Sequence, residues 1–276
     1  MRAALFQSCT GIDPTESAST LREVISAAAA DGAEMLFTPE MSGMLDRNRE
    51  RGAPHLAIEA EDPVLLAVRE SAAKTGIWVH LGSLALKSDK SDGLLFNRGF
   101  VIDGTGEIRA RYDKIHLFDV NLPTGETWRE STSYAPGERA IAVDTPWGRL
   151  GLSICYDLRF PDLFRALSDA GATMLSIPAA FTVPTGRAHW HVMMRARAIE
   201  AGCWVIAAAQ GGTHEDGRAT FGHSLVVDPW GEVVLDMGER NGLAYAEISL
   251  ERVSEVRARI PVLDHRRAIG EVEIAR

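Results

Sequence analysis

The segments Val101-Ile-Asp-Gly-Thr-Gly-Glu107 and Val226-Val-Asp-Pro-Trp-Gly-Glu-Val233 are one hairpin written twice. In each, a β-branched run closes on an Asp-initiated turn that ends in glycine. What precedes them also repeats. In the first half, Ala3 to Gln7, Met35 to Thr38 and Ile77 to Leu84 read as strands. Between them lie two helices. Asp13-Pro-Thr-Glu16 supplies an N-cap, a proline at the first helical position and a capping-box glutamate, and Leu21, Val24, Ile25 and Ala28 follow at helical spacing to Gly32. Asp62-Pro63 repeats the signal for a helix that stops before Gly76. The hairpin strands are Asn97 to Ile102 and Glu107 to Tyr112.

In the second half, Leu150 to Ile154, Met174 to Ile177 and Trp204 to Ala209 read as strands, with helices over Asp162 to Asp169 and around His191 to Ala201. Ser224 to Val227 and Glu232 to Leu235 form the hairpin, and a further helix runs from Leu250 to Arg259. Each half is therefore β-α-β-α-β plus a hairpin, which predicts an α/β protein with two related sheets, each covered by helices. No low-complexity linker divides the chain, so residues 1–276 are expected to form one domain.

The net charge of −9 argues against nucleic acid and anionic membrane surfaces as partners. The N-terminal apolar stretch is too short for a signal peptide, and no segment approaches a membrane span. Cys9, Cys155 and Cys203 are widely spaced, with no CxxC pair, so neither a zinc knuckle nor a disulfide framework is expected. The expected setting is the reducing cytoplasm. Cys9 and Cys203, in apolar strand contexts, read as core residues.

Cys155 differs from them. It ends the strand Leu150 to Ile154, just before Pro161-Asp162 opens a helix, where an α/β fold tends to hold its chemistry. Glu40 ends the corresponding strand of the first half, and Lys114 follows the first hairpin. A thiol, a carboxylate and an ammonium suffice for acyl transfer. The thiolate attacks, the carboxylate moves protons, and the ammonium holds the oxyanion and depresses the thiol pKa. Spacing alone does not join the three. Singly, Glu40 reads as a solvated loop carboxylate, Lys114 as a surface charge and Cys155 as a space-filling thiol.

Phe37-Thr-Pro-Glu-Met41, Tyr112-Asp-Lys-Ile-His-Leu117 and Ile154-Cys-Tyr-Asp-Leu-Arg-Phe160 resemble, in order, the three motifs of the nitrilase superfamily of carbon–nitrogen hydrolases. The resemblance implies a four-layer α-β-β-α sandwich and a catalytic triad of Glu40, Lys114 and Cys155. It also implies a supporting glutamate. Glu130, followed by Ser131, fits best, and Glu126 is the alternative. The backbone N–H of Tyr156 would assist the oxyanion, and no metal or organic cofactor is implied.

Pro178-Ala-Ala-Phe-Thr182, Ala207-Ala-Ala-Gln210 and Gly222-His-Ser-Leu-Val-Val-Asp-Pro-Trp-Gly231 resemble the Nit subgroup. That likeness implies cleavage of a small carboxylate-bearing amide. Foremost is deaminated glutathione, giving 2-oxoglutarate and cysteinylglycine; ω-amidase action on 2-oxoglutaramate, or hydrolysis of another small or N-carbamoyl amide, is the alternative. Members of the subgroup commonly form dimers or larger assemblies, which the segment after Glu247 would help to build. A carboxylate substrate calls for cations. Arg159, directly after the thiol strand, is the first candidate, with Arg187 and His189 next. Phe181 and Thr182 are expected to line the pocket. Arg195 and Arg197 read better as structural ion pairs, and a metal pair of His189 and His191 is disfavoured because two residues apart on a helix do not share a face.

Three other readings are weaker. Nitrile-cleaving members usually carry Trp where this chain has Tyr156. A non-catalytic binding protein would have no need to keep Glu40, Lys114 and Cys155 together. A redox thiol would need a resolving cysteine, and none lies near Cys155 in sequence.

Overall fold

The computed structural model describes residues 1–276 apart from 89–92, 122–124, 126 and 276. Glu126 therefore lies outside the described residues. In the first half, β1 (Arg2–Gln7), β2 (Met35–Phe37), β3 (Trp78–Lys87), β4 (Leu95–Ile102) and β5 (Ile108–Asp113) lie side by side in that order. β1 to β3 are parallel, and β4 and β5 return antiparallel. The helices of this half are α1 (Pro14–Ala30), the one-turn α2 (Arg49–Gly52) and α3 (Pro63–Thr75). A small ribbon of β6 (Asp119–Asn121) and β7 (Thr127–Arg129) leads into the second half.

The second sheet repeats the plan. β8 (Ala142–Thr145), β9 (Gly148–Leu152), β10 (Met174–Ser176) and β11 (Trp204–Ala207) are followed by a ribbon, β12 (Gly211–Thr213) and β13 (Ala219–Phe221), and then by β14 (Leu225–Val227), β15 (Val233–Asp236) and β16 (Gly242–Glu247). Its order is β8-β9-β10-β11-β14-β15, so β9 to β11 match β1 to β3 and the β14–β15 hairpin matches β4–β5. α4 (Pro161–Asp169), α5 (Val183–Ala201) and α6 (Leu250–Arg259) complete the chain. Each sheet gains one antiparallel edge strand that the sequence pattern does not reveal. β8 joins β9, and β16 crosses back to β1 of the first sheet. Both are largely half-exposed and lack the alternation that marks a strand.

Local signals explain the helix starts. Asp13 Oδ1 accepts the Thr15 N–H at 2.7 Å, and Asp62 Oδ1 accepts those of Val64 and Leu65 at 3.0 and 2.8 Å. α5 begins at Val183, well before the expected start near His191, because Pro184 pre-sets the first turn.

The period of two along the strands builds the layers. Ala4, Phe6 and Leu36 pack beneath Leu21 and Ile25 of α1 and Val64 and Val68 of α3. Their neighbours Ala3, Leu5, Met35 and Phe37 face the other way and join Leu150, Leu152 and Met174 of the second sheet in one core. Phe164 of α4 and Trp190 and Met194 of α5 close that core from the far side. The result is the expected α-β-β-α sandwich. Each Leu or Phe so buried contributes about 1.5–3 kcal/mol. Cys203 is buried as expected, but Cys9 is exposed. β1 ends at Gln7, and the Cys9 thiol beyond it turns to the Thr213 carbonyl at 3.4 Å and His214 Nδ1 at 3.6 Å.

Candidate active site

The parallel strands β1, β2, β9, β10 and β11 deliver their carboxyl ends to one edge of the sandwich, and isolated bridges Ser8↔Gln210 and Ala179↔Ala209 tie those ends together. Glu40 lies three residues past β2 and Cys155 three past β9. Both are buried, at 4% and 7% exposure, as is Lys114 at 2% just after β5.

The three meet. Lys114 Nζ donates to Glu40 Oε1 at 2.9 Å, and the Cys155 thiol lies within the electrostatic reach of the same carboxylate. Glu40 Oε2 accepts the Ala180 N–H at 2.9 Å. Glu130 stands on the other side of the ammonium, its oxygens 3.0 and 2.9 Å from Nζ. The Phe118 N–H pins Glu130 Oε2 at 2.7 Å. Two carboxylates around one ammonium can stay buried because each charge is paired and hydrogen-bonded.

Sequence reading missed several residues that hold this group. Asn97 Nδ2 donates to Glu40 Oε1 at 2.9 Å and to Glu130 Oε1 at 3.2 Å, bridging the two acids. Asn97 has the same strand parity as Val101, which faces the inner core, so a polar side chain on an inward face was the available signal. Gln210 Nε2 donates to the Glu40 carbonyl at 2.9 Å while its Oε1 accepts from Ser8 and the Thr10 N–H. Asp157 accepts from Tyr112 Oη at 2.7 Å, the Ile154 N–H at 2.9 Å and the His116 N–H at 3.0 Å, which locks the turn after the thiol. That turn holds Cys155 at φ +49°, a left-handed conformation costly for a residue with a side chain. Its own N–H is committed to the Pro178 carbonyl at 2.8 Å.

The proton sits on sulfur at rest. Burial drives the Cys155 thiol well above its usual pKa, the Glu40 charge adds to this, and Lys114 opposes it without winning. The ammonium does lower the thiol pKa as expected, but burial and the Glu40 charge outweigh it. Burial also works against the Glu40 carboxylate, but the Lys114 charge and hydrogen bonds hold it below the ordinary range. Lys114 stays charged: burial disfavours the ammonium, and the charges of Glu130 and Glu40 outweigh it. A deprotonated acid beside a protonated thiol is a base facing its proton source.

Glu40, Lys114, Cys155 and Glu130 line one cavity of about 690 Å³. Tyr156, Phe181 and Thr182 line it too, as expected. Arg159 and His189 do not. The Arg159 guanidinium lies over the Tyr156 and Phe181 rings, at 5.9 and 5.8 Å, and its Nη2 meets His189 Nδ1 at 3.1 Å, outside the lining. Arg159 thus stands behind two rings of the cavity wall, against α5. Arg187 is exposed on α5. The cations that line the cavity are instead Arg47, Arg49, Arg129 and Arg218, together with Lys114. Arg195 and Arg197 are structural, donating to the Gly231 and Leu158 carbonyls at 2.7 and 3.0 Å. His191 pairs with Asp236 at 2.9 Å rather than with His189.

A carbon-nitrogen hydrolase family model matches residues 2–258. The chain belongs to that family. This carbon–nitrogen hydrolase is 38% identical to the deaminated glutathione amidase of Yersinia enterocolitica over 98% of this chain and 94% of the relative. Among solved structures it is similar to the Caenorhabditis elegans NitFhit protein, at TM-score 0.89 and 40% identity; the match covers 96% of this chain and 65% of that one. It is also similar to a Saccharomyces cerevisiae member of branch 10 of the nitrilase superfamily, at TM-score 0.85 and 26% identity, covering 95% and 94% of the two chains. The protein is thus an enzyme that hydrolyses an amide C–N bond, acting on a small molecule. No described helix is long and apolar enough to cross a membrane.

Proposed function

We propose that this carbon–nitrogen hydrolase cleaves deaminated glutathione to 2-oxoglutarate and cysteinylglycine, with Cys155 as nucleophile. The observation that carries the reading is the buried carboxylate–ammonium–thiol group at the foot of an arginine-lined cavity. A cavity of about 690 Å³ has room for a ligand of tripeptide size, and 2-oxoglutaramate would fill less of it. The name of the Yersinia relative points to the same substrate.

Glu40 takes the thiol proton as sulfur attacks the amide carbonyl carbon. The tetrahedral oxygen accepts hydrogen bonds from Lys114 Nζ and the Tyr156 N–H, since the Cys155 N–H is already spent on Pro178. The C–N bond breaks and Glu40 passes its proton to the departing amine. Water then enters, Glu40 removes a proton from it, and the hydroxide attacks the thioester carbonyl. The C–S bond breaks, and the proton on Glu40 returns to sulfur. Glu130 holds Lys114 in place and balances its charge throughout.

Residues 1–276 act as a single catalytic domain, and the enzyme works in the cytoplasm as a homo-oligomer. Three unpaired cysteines fit a reducing compartment. The exposed apolar side chains of Val192 and Ile199 on α5 and of Trp230 in the turn of the second hairpin fit a subunit contact.

Release of 2-oxoglutarate from deaminated glutathione and from 2-oxoglutaramate tests the reading, for wild type and Cys155→Ala. Faster turnover of deaminated glutathione, lost in the variant, is the expected result. Faster turnover of 2-oxoglutaramate would make the enzyme an ω-amidase with the same nucleophile. Turnover surviving in Cys155→Ala would refute the mechanism.

A further inference from the structure

Outside the cavity, two imidazoles converge on one carboxylate. His191 Nε2 lies 2.9 Å from Asp236 Oδ2, and His223 Nδ1 lies 2.9 Å from Oδ1 and 3.2 Å from Oδ2 of the same side chain. One ring nitrogen of each histidine and a carboxylate oxygen all fall within 4.8 Å of one another. None of the three residues is part of the cavity wall. They come from three places in the fold: His191 from the middle of α5, His223 from the link between β13 and β14, and Asp236 from the end of β15.

The surroundings orient the three groups. His223 sits at φ +54°, a left-handed conformation disfavoured for a residue with a Cβ. Its N–H donates to the Gly238 carbonyl at 2.7 Å, and its carbonyl accepts from Trp190 Nε1 at 2.8 Å. Its ring stacks on Phe221, with centroids 4.3 Å apart and planes 19° apart. The His191 ring stands at 76° to that of His223, at a centroid distance of 5.3 Å. The Gly238 N–H takes Asp236 Oδ1 at 2.9 Å, which leaves Oδ2 to face both imidazoles. A surface ion pair gains too little to hold a backbone in this conformation, so the placement of His223 points to a stronger ligand.

Spacing and donor set name the class of that ligand. Atoms bonded to one zinc ion at about 2.0–2.2 Å stand about 3–3.5 Å apart. The two nitrogen–oxygen distances to Oδ2 are 2.9 and 3.2 Å. Two imidazoles and one carboxylate select a transition-metal dication over magnesium or calcium, which take oxygen ligands. The side chains of His191, His223 and Asp236 are 37%, 22% and 33% exposed, so an ion has a way in and water can fill its remaining positions.

We propose that His191, His223 and Asp236 form a site for a divalent transition-metal ion such as zinc, which clamps α5 to the β14–β15 hairpin. The ligand atoms are His191 Nε2, His223 Nδ1 and Asp236 Oδ2. Both imidazoles bind neutral, so the ring proton of His191 sits on Nδ1 and that of His223 on Nε2, while Oδ1 keeps the Gly238 N–H. The role is structural: α5 starts beside the cavity-lining Thr182, and the ion fixes the helix without touching the substrate. The site stands whatever amide Cys155 cleaves.

Cobalt is the probe, because its visible absorption reports coordination. The untagged protein is stripped with a chelator and Co²⁺ is titrated in. Wild type should take up one ion per chain; zinc should displace it, and excess magnesium or calcium should not. Asp236→Asn and His191→Gln should each weaken binding at least about tenfold, since even an outer-shell partner is worth that much. Cys9→Ser should bind like wild type, which separates this site from the Cys9 thiol and its His214 neighbour. Zinc should raise the thermal midpoint of wild type and of neither ligand variant, and a cooperative melt without metal marks the variants as folded. Where one of them does not fold, His223→Asn, whose side chain tolerates the left-handed backbone, takes its place. No cobalt uptake by wild type, uptake lost in Cys9→Ser, or equal uptake in wild type and the ligand variants would overturn the proposal. Displacement of cobalt by magnesium or calcium would do the same.

Discussion

Lys114 Nζ lies 2.9 Å from Glu40 Oε1, and that contact sets the resting protonation of the site. It keeps Glu40 ionised, and the ionised Glu40 in turn helps keep the Cys155 proton on sulfur. Cys155 is thereby held as a thiol, and a thiolate forms only as its proton moves. Replacing Glu40 by Gln should separate reactivity from catalysis. Hydrolysis should fall about 10²- to 10⁴-fold, the usual worth of a general base. The thiol, freed of a negative neighbour but still facing Lys114, should ionise at lower pH, so iodoacetamide alkylation of Cys155 should extend to lower pH than in wild type. A pH–alkylation profile that stays put or moves upward would show that Glu40 does not govern the thiol.

Asn97 should act through Glu40. Its amide is among the donors that hold the Glu40 carboxylate below the ordinary range. In Asn97→Ala the carboxylate should therefore protonate at higher pH. The acid limb of kcat/KM should move upward with it, and kcat should fall about tenfold near neutrality, as for loss of one hydrogen bond to a charged group. A role in packing alone would lower the whole profile without moving its limb.

What the sequence made legible follows from where side chains sit on repeating elements. The two half-copies predicted the pairing of β1–β5 with β9–β15, because strand period and cap residues are local properties. Glu40 and Cys155 were legible as strand ends, but not as the corresponding ones expected: β9 before the thiol matches β1, whereas β2 before Glu40 matches β10. Joining them to Lys114 needed the motif likeness, since a contact between residues 40, 114 and 155 has no local signature. The cavity mouth was not legible. Arg47, Trp128 and Arg218 come from three separate loop or ribbon segments, and only the tertiary fold stacks them. The partners of Arg159 were not legible either, because His189 and the Phe181 ring come from a segment far along the chain.

His80 should make the fold sensitive to mild acid. Its ring is fully buried in β3, with Ser176 Oγ 3.2 Å from Nδ1, and burial pushes its pKa down to about 3. The unfolded chain binds this proton near pH 6.5, so no stability is lost above that value. Between pH 6.5 and about 3 the unfolded state takes up the proton and the folded state does not, so stability falls as pH falls. At pH 5 this single residue should cost about 2 kcal/mol. Urea unfolding at pH 7 and pH 5 checks it. His80→Asn should lose about 2 kcal/mol less than wild type between those two pH values, whatever its absolute stability. Equal losses in the two proteins would mean that His80 titrates normally in the fold.

Gly82 ties the stability of the first sheet to the position of the base. The segment from Thr38 to Ser42 that carries Glu40 is laced to β3: Gly82 donates its N–H to Thr38 Oγ1 at 3.0 Å, and Met41 donates to Ser83 Oγ at 2.9 Å. A Cβ on Gly82 would lie 2.2 Å from the Thr38 carbonyl oxygen and 2.4 Å from that of Pro39. Both are backbone atoms, so no side-chain rotation relieves the clash. Gly82→Ala should push the segment off β3, at a cost of about 1–3 kcal/mol typical of overpacking. Glu40 moves with that segment, and a shift of about 1 Å at a catalytic group can cost some 10²-fold in rate. Turnover should therefore fall well beyond what the unfolded fraction explains, measured at a temperature where denaturation curves show the variant folded. Wild-type stability together with wild-type kcat in Gly82→Ala would mean that the close approach of β3 does not position Glu40.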